Sequence, residues 1–148
     1  MKDGKESAPY DYISSFEALS GGRTVFLARK NGATMIVDNG KEYPYGFPSW
    51  NITVSPDKKG YAVAVKRIGS ETSTVFADGK ELTGDYSFTD SPSYTPDGRI
   101  VYFANSKNKT YLMIDGKVVS KGYALANPSS LTFSSDGKHF AFSPKNSQ

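Results

Sequence analysis

Two series of turns recur along this chain with one common period, and that periodicity restricts the fold more than any other feature. The first series is Ser20-Gly21-Gly22-Arg23, Ser55-Pro56-Asp57-Lys58-Lys59-Gly60, Thr95-Pro96-Asp97-Gly98-Arg99 and Ser134-Ser135-Asp136-Gly137-Lys138. Its glycines Gly22, Gly60, Gly98 and Gly137 lie 38, 38 and 39 residues apart. The second series is Asp3-Gly4-Lys5, Asn39-Gly40-Lys41, Asp78-Gly79-Lys80 and Asp115-Gly116-Lys117, with glycines 36, 39 and 37 apart. Asn-Gly and Asp-Gly suit the two positive-φ positions of a type I′ hairpin turn, and Pro-Asp-Gly starts a turn by fixing φ at its proline.

Apolar runs flank these turns. After the first series come Thr24 to Ala28, Tyr61 to Val65, Ile100 to Ala104 and His139 to Phe142; before the second come Ala33 to Val37, Ser73 to Ala77 and Thr110 to Ile114. Near-continuous apolar character over five residues predicts strands buried on both faces. No segment reads as a helix. One repeat is a four-stranded meander A-B-C-D, placed in the second repeat at Trp50 to Val54, Tyr61 to Lys66, Ser73 to Ala77 and Lys80 to Tyr86. A lone sheet with two apolar faces cannot bury both. Radial stacking of such sheets covers them, which predicts an all-β propeller of four-stranded antiparallel blades, about four repeats in the chain.

The Ser55-Pro56-Asp57 and Thr95-Pro96-Asp97-Gly98-Arg99 motifs, each leading into an apolar strand, resemble the WD40-like repeats of TolB-type propellers, and the copies at Ser20 to Arg23 and Ser134 to Lys138 fit the same slot. Trp-Asp pairs of WD40 blades proper are absent, and the Asp-Gly-Lys hairpin is similar to one of bacterial propeller repeats. The resemblance implies that strand A lines a central channel and strand D lies outside. The D–A and B–C loops would then share one face, where propellers bind, with both turn series on the opposite face. It also makes the bacterial periplasm or cell envelope the compartment to consider first, although nothing in the residues themselves selects one.

The repeats fall at 13–48, 49–90 and 91–127, within a single domain spanning 1–148. The fourth blade is split, with 128–148 supplying strands A and B and 1–12 supplying strand D. Joining this split blade between two chains predicts a homodimer of about eight blades. Joining it within one chain would give a four-bladed ring, the lower limit of the architecture.

Catalytic and metal chemistry finds little support. His139 is the single histidine and there is no cysteine, so neither a zinc site nor a disulfide framework can be assembled. No Gly-x-Ser-x-Gly elbow, phosphate loop or calcium loop is present. Asp57, Asp97, Asp136, Asp78 and Asp115 are accounted for as turn residues that cap backbone N–H groups. The net charge of +3 is dispersed, which argues against a nucleic-acid partner, and no apolar run reaches the roughly 18 residues of a membrane span. These readings predict a chain that is not an enzyme and takes no cofactor or metal.

The remaining candidates are aromatics between strands D and A: Tyr10, Tyr12, Tyr43, Tyr45, Phe47, Trp50, Tyr86, Phe88 and Tyr123. Packing between blades accounts for most of them. The functional expectation is that Tyr10, Tyr12, Phe47 and Trp50, with Asp90 and Asn127, grip a protein or peptide on the loop face, since Tyr and Trp bury much area with few rotatable bonds. Two alternatives stand beside it: an accessory propeller of a larger hydrolase, and a carbohydrate-binding propeller centred on Trp50.

Overall fold

The computed structural model describes residues 9–48, 51–82, 84–126 and 130–145. Within them the chain forms antiparallel sheets in sequence order and a three-residue 3-10 turn at Ser20–Gly22. The first sheet is β1 (Tyr12–Ala18), β2 (Thr24–Lys30), β3 (Ala33–Asp38) and β4 (Lys41–Tyr45), paired in that order. The second has β5 (Phe47–Pro48) and β6 (Thr53–Val54) as two pieces of one first strand, both paired with β7 (Tyr61–Lys66), followed by β8 (Ser73–Ala77) and β9 (Lys80–Glu81). The third repeats this pattern with β10 (Phe88–Thr89), β11 (Ser93–Tyr94), β12 (Ile100–Ser106), β13 (Lys109–Ile114) and β14 (Lys117–Val118). The fourth contributes β15 (Leu125–Ala126) and β16 (Thr132–Phe133), paired with β18 (Pro144–Lys145) and β17 (Phe140–Ala141). The chain is thus a β-propeller array of three full blades and a half-blade, and the part of the split blade expected from residues 1–8 lies outside the described residues.

Local chemistry produces the meander. Asn39, Asp78 and Asp115 take φ of 48°, 47° and 48°, and Gly40, Gly79 and Gly116 follow at 91°, 86° and 78°, the two positive values a type I′ turn requires. The first turn series closes through side chains. Ser55 Oγ donates to Asp57 Oδ1 at 2.7 Å, which also accepts from Lys59 N at 3.0 Å; Ser134 and Asp136 repeat the arrangement, with Lys138 N donating at 3.0 Å. Thr95 likewise donates to Asp97. One detail differs from the glycine spacing. The left-handed residue of the second turn is Lys58 (φ 56°), which donates to Ser55 O as Gly98 does to Thr95 O. Gly60 instead takes the closing slot of Arg23, Arg99 and His139, because the second and fourth turns are one residue longer. His139 is therefore a turn residue and does not open the strand.

Strands B and C form the core because both their faces are covered. Val25, Leu27 and Ile36 pack against Tyr61, Val63, Val65 and Phe76 of the next blade. The other face of that second blade presents Ala62, Val75 and Ala77 to Ile100, Tyr102, Ala104 and Met113 of the third. Val101, Phe103, Leu112 and Ile114 of the third then meet Phe133 and Phe142 of the half-blade. Strand D of the second and third blades and the split first strands are shorter than expected: strand D of the second blade is Lys80–Glu81, continued by the bond from Leu82 N to Val75 O and a bridge from Tyr86 to Ser73.

The register places both turn series at one end of the blades, where they are cross-linked. Arg23 binds Asp38 through two bonds (2.8 and 2.5 Å) and reaches Asp78 of the second blade at 3.2 Å. Tyr61 donates to Asp38 Oδ2 at 3.0 Å, and the Arg23 guanidinium lies 5.2 Å from the Tyr61 ring centre. Burial pushes the Asp38 carboxyl up, but its bonds to Arg23 and Tyr61 outweigh this and hold it below the ordinary carboxylate range.

Tyr102 lies two residues further along strand B of the third blade than the slot Tyr61 fills in the second, and its buried hydroxyl has no hydrogen-bond partner among the described residues. The two tyrosines therefore make opposite predictions. Tyr61→Phe removes a bond to a buried carboxylate and should cost about 1.5–3 kcal/mol. Tyr102→Phe removes an unpaired polar group and should leave stability unchanged or raise it by up to about 1 kcal/mol. Urea titrations of both variants check the contrast, and equal losses would contradict it.

Candidate binding groove

At the opposite end the B–C and D–A loops meet, because Gly46 N donates to Lys66 O, Ser87 N to Asn105 O, and Tyr86 bridges Ser73. Between the second and third blades these loops leave an open hollow of about 670 Å³, walled by the end of β7, the 67–72 loop, Ser73 and the start of β10. The loop is held in shape by its own hydroxyls: Ser70 and Thr72 Oγ atoms are 2.8 Å apart, and Ser70 Oγ accepts from Thr72 N at 3.1 Å. Gly46 is fixed by close approach, since a Cβ there would sit 3.0 Å from Arg67 O.

Two large apolar side chains stand out of this polar rim. Phe88 lines the hollow and is 57% exposed, and Ile68, between the lining residues Arg67 and Gly69, is 62% exposed. Around them Lys66 pairs with Glu71 at 2.8 Å, while Arg67 pairs with Glu81 at 2.6 Å and with Asp85. Three carboxylates thus face two cations, and Glu71 and Asp85 are the most exposed of the five.

Of the sequence-predicted residues whose side chains are described, Tyr10 and Tyr12 lie on the first blade, away from this hollow. Tyr10 packs edge-on against Phe26 at 5.5 Å on the first blade and donates to Glu42 Oε1 at 3.0 Å. Burial, reinforced by Glu42, pushes its phenol up to about 12. Tyr12 is 60% exposed on β1 opposite Arg29 of the same blade. Phe47 contributes its backbone to β5, while Trp50 and Asn127 lie outside the described residues. Tyr43, Tyr45 and Tyr123 are packing residues, with ring centres 4.7 and 5.5 Å from Phe76 and 5.4 Å from Phe142 respectively. The loop residues Lys66 to Glu71 were missed; an isoleucine inside a polar six-residue loop was the available signal.

Asp90 lies two residues from Phe88, yet it turns toward its own sheet. Its Oδ1 accepts from Phe103 N at 2.7 Å while its N–H donates to Phe103 O at 3.0 Å. Burial pushes its carboxyl up to about 6 against the opposing pull of these backbone bonds. Among the described residues no group of three or more His, Asp or Glu is placed to hold a metal ion.

No family model matches the chain, and no curated protein matches it. Of the likeness to TolB-type repeats, the propeller fold is the part that the structure supports. Among solved structures, virginiamycin B lyase from Staphylococcus aureus matches with 19% identity and a TM-score of 0.38, over 84% of this chain and 46% of that one. The chain thus spans about half the length of the lyase. The expectation that the chain is not an enzyme is withdrawn on this finding, since the matched structure is that of an enzyme. Likeness at this level transfers neither activity nor site residues, and the propeller architecture rests on the sheets described above.

The raised Asp90 carboxyl has a measurable consequence. The folded state holds its proton to higher pH than the unfolded chain does, so this group lowers stability as pH rises from about 4 to about 6. Asp90→Asn keeps an acceptor for Phe103 N and removes the buried charge. It should raise stability at pH 7 by roughly 1–3 kcal/mol and flatten the decline between pH 4 and 6. Thermal melts of both proteins across that range check this, and parallel pH profiles would contradict it.

Proposed function

We propose that the protein binds an extended peptide segment of a protein partner in the groove between the second and third blades. The carrying observation is the pair of exposed anchors, Ile68 and Phe88, set in a polar rim on the loop face. An apolar side chain of the partner inserted between them would be desolvated at the centre of the contact, the position where binding energy concentrates. The rim would supply orientation. Ser70, Ser73 and Thr89 line the hollow with hydroxyls, and Lys66, Arg67 and Glu71 add charge. The carboxylate excess at Glu71, Glu81 and Asp85 favours a partner segment carrying a basic residue beside the apolar one. The ion pairs at this rim are largely exposed, so they contribute specificity and encounter rate more than affinity.

Panning a random-peptide phage library over the immobilised protein tests this. Enriched peptides should combine an apolar with a basic residue, and Phe88→Ala should weaken them at least about tenfold while leaving the circular dichroism spectrum unchanged. Failure to enrich any peptide, or peptides indifferent to both F88A and I68S, would contradict the proposal.

A further inference from the structure

Ile68 lies on the loop after β7 and Phe88 at the start of β10, and both side chains are more than half exposed. Packing therefore does little to hold either of them. Their separation has to be fixed through the backbone that carries them, and in both cases that backbone leads back to Arg67.

Ile68 follows Arg67 directly and stands at the corner of a tight turn. Ser70 N donates to Arg67 O at 3.3 Å, and Gly69 takes φ 68°, the left-handed value such a corner needs. Arg67 N donates to Thr72 O at 3.4 Å, and its Nη1 donates to Thr72 Oγ1 at 3.4 Å. One residue thus closes the loop through both its backbone and its side chain.

The same guanidinium reaches beyond the loop. Its Nε and Nη2 both donate to Glu81 Oε2, at 2.9 and 2.6 Å, and its Nη1 also donates to Asp85. Glu81 is held from its other side by the first blade, whose buried Tyr45 donates to Oε1 at 3.1 Å. Asp85 begins the approach to Phe88. Before it, Gly84 has φ 117° and the Tyr86 ring fills the place where a Cβ would lie, so glycine is required there. After it, Tyr86 and Ser73 exchange backbone bonds of 3.3 and 2.7 Å, Ser87 N donates to Asn105 O at 2.9 Å, and Phe88 pairs opposite Asn105. A displacement of Asp85 would pass along this short, pinned segment to Phe88.

We propose that Arg67 is the positioning residue of the groove: its guanidinium fixes the distance between Ile68 and Phe88, and with it the size of the apolar side chain that fits between them. The geometry stands on the bonds just described, and its use rests on the peptide-binding reading above. Lysine would not substitute. The planar fork of arginine meets acceptors on three segments at once, which a single ammonium cannot span. These bonds lie near the surface and add little to stability, so losing them frees the anchors without unfolding the chain.

The chain has no cysteine, so Ile68→Cys together with Phe88→Cys supplies two spin-label sites and no others. Dipolar electron-spin spectroscopy of that labelled pair should give one narrow distance distribution. Arg67→Met, Arg67→Lys and Asp85→Ala should each broaden it while the circular dichroism spectrum stays unchanged. Lys66→Met, which breaks the neighbouring pair with Glu71, should leave it narrow. Peptides enriched by the unlabelled chain should bind R67M at least about tenfold more weakly, with little further loss when F88A is added, because both changes remove the same seat. A distribution as narrow in R67M as in the parent, or one that K66M broadens equally, would overturn the positioning role whether or not a peptide is found. A library that enriches nothing while R67M broadens the distribution would count against the groove's binding role alone and would uphold the positioning.

Discussion

A sheet apolar on both faces cannot exist alone in water, and this constraint organises the molecule. Val63 and Val75 lie on opposite faces of the second blade and neither is exposed to solvent at all, so that blade needs a neighbour on each side. Burial of a valine or leucine side chain contributes about 1.5–3 kcal/mol; the first junction buries Val25, Leu27, Ile36, Val63, Val65 and Phe76 among others, and the second buries Val75, Ile100, Tyr102 and Met113 with three alanines. Junctions between blades, more than ladders within them, therefore hold the array together. Repeat proteins gain stability in the same additive way, from unit plus interface.

The two ends of the blades are built to different standards. At the turn end, backbone N–H groups are closed by Ser, Thr and Asp side chains, and the Arg23, Asp38 and Tyr61 cluster ties one blade to the next through a carboxylate that is only 9% exposed. Taking away Arg23 would leave the Asp38 carboxylate without its cation, a larger loss than removal of the Tyr61 hydroxyl. At the loop end the ion pairs of Lys66 and Arg67 are exposed and contribute little to stability, at most about 1 kcal/mol each. Rigidity at one end leaves the other free to vary, which is why the groove lies among loops held by a well-anchored scaffold.

The turns and the B and C strands were legible in the sequence because their causes are local. Asp-Gly needs no partner to favour a hairpin, and a run such as Tyr61 to Val65 is apolar wherever it lies. The first strands were less legible. Their pairing is split into two-residue patches, as at β5 and β6, and each patch is fixed by its partner β7 and not by its own residues. Turn length was hidden for the same reason: Gly60 falls near the expected spacing, but only the bond from Ser55 N to its carbonyl shows that it closes the turn. The site was legible by face and not by residue. Sequence phase gave Tyr10, Tyr12 and Phe88 the same height along a blade, yet height says nothing about which pair of blades leaves a hollow between them. Gly46 and the short 67–72 loop decide that, and both act through tertiary proximity.

Asp90 shows how the core and the loop face meet. A carboxylate on the first strand, hydrogen-bonded to the Phe103 amide, continues the sheet's ladder with a side chain where the strand is split between β10 and β11. The bond offsets part of the desolvation, and the upward shift to about 6 shows that burial still wins. A serine or asparagine would satisfy the same amide without that penalty. The Asp90 carboxylate does not line the hollow; it is spent on the Phe103 amide, two residues along the chain from Phe88.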